Sequence, residues 1–165
     1  MELPKRKSIR LKEYDYSSNG AYFVTICTHQ KQCILWGDVG NGLDHSANLP
    51  LTPIGEIAQK DMEDISKHFP YVQVEKYVIM PNHIHAIIMI NKNEDMAEWS
   101  RPFPTLSAII GLYKSGVSRK VGSSIWQKSF HEHIIRNQTS YDEIWQYIDT
   151  NPMKWELDQY YKAAL

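Results

Sequence analysis

The run Tyr77-Val-Ile-Met-Pro-Asn-His-Ile-His-Ala-Ile-Ile-Met-Ile90 constrains this chain more than any other stretch. It is apolar and rich in β-branched residues on both sides of Pro81-Asn82, a pattern that reads as strand (Val72 to Met80), turn, and returning strand (His83 to Ile90). Side chains alternate across a strand, so His83 and His85 share one face while Ile84, Ala86 and Ile88 share the other. Two imidazoles side by side on an apolar strand suit one divalent cation. A His-x-His pair also arises where strand histidines merely hydrogen-bond to a neighbouring loop, so the pair needs a second feature before it carries chemistry.

That second feature is Tyr147-Ile-Asp-Thr-Asn151-Pro152. Ser140-Tyr-Asp-Glu143 fits a capping box and predicts a C-terminal helix, on which Tyr147 and Asn151, four apart, lie on one face. Taken alone, Ile144, Tyr147 and Ile148 also read as a core-facing stripe, and Asn151-Pro152 as a plain helix stop. Joined to the histidines, the pattern gains a chemical reading. A phenol with a reference pKa of about 10 is a poor nucleophile at neutral pH and needs an activated electrophile. A Mg²⁺ or Mn²⁺ ion held by His83 and His85, with Asn151 as an oxygen ligand, would polarise a scissile phosphate that Tyr147 could attack.

The rest of the chain supplies a frame for these segments. Tyr22 to Thr28 predicts a first strand. Thr52-Pro53 opens a helix with Ile54, Ile57, Ala58, Met62 and Ile65 at helical spacing, ending near Phe69-Pro70. Thr105 caps a second amphipathic helix carrying Leu106, Ile109, Ile110, Tyr113 and Val117, and His133 to Arg136 predicts a last strand. The order β, α, β, β, α, β, α implies an α+β fold with helices packed on an antiparallel sheet.

At 165 residues the expectation is a single domain, 1–165, preceded within it by a basic N-terminal arm over 1–19. Cys27 and Cys33 match neither a zinc knuckle nor a redox pair and are expected to be reduced. No apolar run is long enough for a membrane span, and the expected location is cytoplasmic, on the nucleoid when bound to DNA. The net charge of −1 argues mildly against a bulk nucleic-acid coating role, but the basic residues are clustered. Lys5, Arg6, Lys7 and Arg10 form one group and Lys114, Arg119, Lys120 and Arg136 another, and both are candidate phosphate contacts.

His83-Ile84-His85 and Tyr147-Ile-x-x-Asn151-Pro152 resemble the two motifs of the HUH single-tyrosine (IS200-like) transposases, and the REP-associated tyrosine transposases in particular. Gly20 to Thr28, Met80-Pro-Asn-His-Ile-His85, and Trp126-Gln-x-x-Phe130 followed by His133-Ile-Ile-Arg136 extend the resemblance over nearly the whole chain. It implies a ferredoxin-like sheet and a metal-dependent nickase and strand transferase acting on single-stranded DNA at hairpins. It also implies a 5′-phosphotyrosine intermediate on Tyr147, with His83, His85 and Asn151 as metal ligands. A homodimer, and a site shared across it, is left open by the residues.

Two other readings compete. His131-Glu-His133 is a second His-x-His, and four histidines could assemble a zinc metallohydrolase with Glu132 as base; yet Glu132 would point away from both neighbours on a strand. Alternatively, the chain is a domesticated, non-catalytic hairpin-binding protein, a reading that the intact Tyr147, His83 and His85 argue against.

Overall fold

The computed structural model describes residues 11–37, 50–93 and 102–161. The basic residues Lys5, Arg6, Lys7 and Arg10 lie outside them. Four strands, β1 (Gly20–Cys27), β2 (Val72–Ile79), β3 (His83–Ile90) and β4 (His131–Ile135), form an antiparallel sheet in the order β2-β3-β1-β4. Helices α1 (Pro53–Glu63) and α2 (Ile65–His68) lie between β1 and β2, and α3 (Leu106–Val121) lies between β3 and β4. A fourth helix, α4 (Gln138–Thr150), follows β4. This is the expected α+β, ferredoxin-like arrangement.

Alternation along the strands divides the sheet into two faces with different work. Tyr22, Val24 and Ile26 on β1 and Ile84, Ala86, Ile88 and Ile90 on β3 pack into the main core with Ala58 and Met62 of α1 and Ile109, Ile110, Tyr113 and Val117 of α3. A smaller cluster on the other face joins Ala21, Ile87 and Ile135 to Ile148, with Phe23, Ile144 and Trp145 packed against it. His83 and His85 project on that second face, under α4, as the period-two reading requires. Strand β3 is central and almost wholly buried, which explains its unbroken apolar sequence around the two histidines.

Helices α1 and α3 start where the sequence places them. The Thr52 hydroxyl accepts from the Gly55 amide, and the Thr105 hydroxyl accepts from the Ala108 amide. Gly55 is required by a close approach, because a Cβ there would collide with the Leu35 carbonyl oxygen. The helix predicted as one piece to Phe69 breaks at Asp64 into α1 and α2. Two boundaries move further. β4 begins at His131, not His133, because its pairing with β1 runs from Thr25↔His131 to Ala21↔Ile135. The cap of α4 is Asn137, whose side chain accepts from the Ser140 amide; the Ser140 capping box is displaced because an extended asparagine three residues earlier starts the helix first.

A bulge in β2 between Val74 and Lys76 turns Lys76 to the α4 side of the sheet, opposite Ile87. There its ammonium meets Asp149 at 2.6 Å and lies over the Trp145 ring. The bulge thus ties the outer strand β2 to the helix that carries Tyr147. Cys27 is buried and Cys33 exposed, and they are not bonded to each other. Among the described residues no helix is long and apolar enough to cross a membrane.

Candidate active site

His83 and His85 are both essentially inaccessible to solvent. Each has its Nδ1 engaged. His85 Nδ1 lies 2.8 Å from the Thr25 hydroxyl on β1, its register partner. His83 Nδ1 lies 2.8 Å from Asn82 Oδ1. The Asn82 amide nitrogen donates to the carbonyls of Lys31 and Tyr160, which fixes its oxygen toward the imidazole. An amide oxygen only accepts, so His83 carries its proton on Nδ1 and presents a bare Nε2. The two Nε2 atoms converge to 3.0 Å. That separation matches two donors on adjacent positions of one cation at roughly 2.1 Å from each.

Burial pushes both imidazoles down to about 3, so both are neutral, the state a metal ligand needs. Cys27, the register partner of His83, is buried, and burial raises its thiol to about 11.

Helix α4 brings Tyr147 over this pair. Its phenol oxygen is 3.3 Å from His85 Nε2, and its ring stands edge-on to Phe23, which itself stacks on His85. Burial and the neighbouring Asp158 carboxylate hold the phenol above its ordinary value, while the Asn151 amide beside it works in the other direction. Asn151 is buried at the end of α4, and its amide nitrogen has no hydrogen-bond partner among the described residues. The histidines, the tyrosine and the asparagine therefore meet within a single chain. Beside them opens a cavity of about 730 Å³ whose lining includes Phe23, His85, Gln146, Tyr147, Asn151 and Asp158.

Asp158 is the residue that sequence reasoning missed. It follows a 3-10 turn, Pro152–Leu157, that carries the chain back over the histidines. Its Oδ2 is 3.8 Å from His83 Nε2 and 3.4 Å from the Tyr147 hydroxyl. No periodicity or motif marks this position, and only the return of the chain after Pro152 places it.

The other candidates separate. Lys114 points its half-buried ammonium at the carbonyls of Gln127, Lys128 and Ser129, at 2.6, 3.4 and 3.3 Å, and Lys120 pairs with Asp61. These two cations have partners inside the protein, whereas Arg119 and Arg136 are exposed. His131 and His133 are exposed on β4, with β1 between them and β3. Two strand spacings, about 9–10 Å, are too wide for one ion. Glu132 pairs with Val24 and faces the opposite side of the sheet, so the four-histidine zinc site does not form.

The family model described as "Transposase IS200 like" matches residues 52–151. An uncharacterized protein of Haemophilus influenzae is 38% identical, covering 94% of this chain and 93% of its own length. A putative REP-associated tyrosine transposase from the same organism is 24% identical over 85% of this chain and 74% of its own. Among solved structures, a REP-associated tyrosine transposase bound to a REP hairpin superposes with a TM-score of 0.63 at 22% identity, covering 88% of this chain and 73% of that one, and so shares its fold. The chain belongs to the IS200-like family of single-tyrosine transposases.

Proposed function

We propose that this protein is a metal-dependent nickase and strand transferase that acts on single-stranded DNA at hairpins through a 5′-phosphotyrosine on Tyr147. The observation that carries the reading is the approach of the Tyr147 phenol oxygen to His85 Nε2, 3.3 Å, where that nitrogen converges with His83 Nε2. A nucleophile and a two-imidazole metal seat meet at one point, beside an open cavity.

In the proposed reaction the Tyr147 oxygen attacks the scissile phosphorus. The phosphorus–O3′ bond breaks, the phenolic proton is lost, and the leaving strand ends in a 3′-OH. Strand transfer is the reverse step, in which a 3′-OH attacks the phosphotyrosine and regenerates the phenol. A Mg²⁺ or Mn²⁺ ion held by His83 and His85, with the Asn151 amide alongside, would supply charge withdrawal from the phosphate. Phe23 fixes the plane of His85 and the approach of Tyr147 by packing on both. Exposed Arg119 and Arg136, together with Lys5, Arg6, Lys7 and Arg10, are proposed phosphate contacts. A hairpin partner is supported by the bound hairpin of the structural neighbour.

The test is end analysis of products from single-stranded hairpin DNA taken from the sequence flanking the gene. This reading expects a free 3′-OH on one fragment and a protein-blocked 5′ end on the other. Two fragments with ordinary 5′-phosphates would mean hydrolysis and would overturn it.

A further inference from the structure

We infer that Asp158 is a further protein ligand of the divalent cation seated between His83 and His85 beside the Asn151 amide, so that the chain after the tyrosine helix completes the metal site. The inference rests on the metal seat of the proposed function and extends it to a residue that no motif of this chain marks.

Three observations carry it. First, one nitrogen from each histidine and one oxygen from Asp158 lie within 4.8 Å of one another, the span of donors around a single ion. Second, the carboxylate is aimed. Asp158 Oδ1 accepts from the Tyr160 amide at 2.7 Å, which leaves Oδ2 directed at His83 and Tyr147. Third, the Asp158 side chain is only 1% exposed. A carboxylate withdrawn from water needs a paired positive charge. Among the described residues its ion-pair contact is a histidine, His83 at 3.8 Å, and not a lysine or arginine. A divalent cation between the three side chains removes that imbalance.

The segment bearing Asp158 is anchored as a ligand arm must be. The Asn82 amide that orients His83 also donates to the Tyr160 carbonyl at 2.8 Å, and the Trp155 and Tyr160 rings pack near the His83 ring. One asparagine thus positions both a histidine and the turn that carries the carboxylate. A carboxylate added to the two imidazoles and the Asn151 amide makes the set harder and favours Mn²⁺ or Mg²⁺ over softer ions.

The test is Mn²⁺ titration of the full chain without DNA, followed by the loss of the free-ion electron paramagnetic resonance signal. Asp158→Asn retains an oxygen for the Tyr160 amide and so preserves the turn; it should weaken Mn²⁺ binding by roughly tenfold or more. Asp158→Ser, too short to reach the histidines, should weaken it at least as much. Asp149→Asn, on the exposed end of α4, should leave it unchanged. Wild-type affinity in both Asp158 variants, with native circular dichroism, would overturn the inference. Failure of this inference and of the proposed function are separable. Loss of Mn²⁺ affinity in these variants would stand even if no DNA were ever cleaved, and covalent attachment of DNA would stand even if Mn²⁺ ignored Asp158.

Discussion

Asn82 Oδ1 accepts a hydrogen bond from His83 Nδ1, and the opposite edge of the same amide is held by two backbone carbonyls. One turn residue thereby sets the tautomer of a histidine in the proposed metal seat. Partners of this kind are commonly worth 10–100-fold in metal affinity. Asn82→Ala should therefore weaken Mn²⁺ binding by roughly that factor while the far-ultraviolet spectrum stays native, as measured by titration calorimetry. Unchanged affinity would mean that His83 needs no orienting partner.

The depressed imidazoles predict a pH dependence of stability for the metal-free protein. Between about pH 3 and pH 6.5 the unfolded chain binds protons at His83 and His85 that the native state refuses. Stability therefore rises with pH across that window and is lost as pH falls through it. Urea midpoints taken with chelator from pH 7 to pH 4 should decline. The decline should be shallower in His85→Gln, which removes one of the two groups.

Lys76 links β2 to α4 through Asp149 and the Trp145 ring. Both charged groups are partly exposed, so the ion pair contributes at most about 1 kcal/mol. Lys76→Met should shift the melting temperature only slightly. Its larger effect should be on placement of Tyr147, lowering the cleavage rate several-fold at unchanged Mn²⁺ affinity, a combination that single-turnover kinetics and metal titration would detect.

Lys114 reads in the sequence as a phosphate contact, whereas in the fold it holds the segment before β4 by its carbonyls. Lys114→Ala should cost about 1 kcal/mol of stability, since it strips a charged donor from the partly buried Gln127 carbonyl and from two exposed ones. It should leave the salt dependence of hairpin binding unchanged. Arg136→Ala should do the reverse, reducing the slope of binding against salt with little effect on the urea midpoint.

The parts of this molecule legible in the sequence are those set by local rules. Alternation placed both histidines on one face, threonine caps opened α1 and α3, and helical spacing put Tyr147 and Asn151 on one side of α4. What stayed hidden depends on register and on distant segments. The Thr25 partner of His85 follows from the β1–β3 pairing, and the β2 bulge that turns Lys76 leaves no mark in composition. Asp158 lies 75 residues beyond His83, after a 3-10 turn with no hydrophobic period, so only the folded chain brings them together. The Ser140 capping box misled because Asn137, three residues earlier, was an equally good cap in a better conformation.

On the proposed function, Tyr147 becomes covalently joined to DNA with the help of a metal at His83 and His85. Labelled single-stranded hairpin DNA, incubated with the protein and Mn²⁺ and run on a denaturing gel, tests it directly. The expected result is a slow, denaturant-resistant band with wild-type protein, absent with Tyr147→Phe, with His83→Ala/His85→Ala, or with chelator, while Tyr147→Phe still binds the hairpin. Hairpin binding with no covalent band under any of these metal conditions would contradict it and make the protein a binding module on a transposase fold.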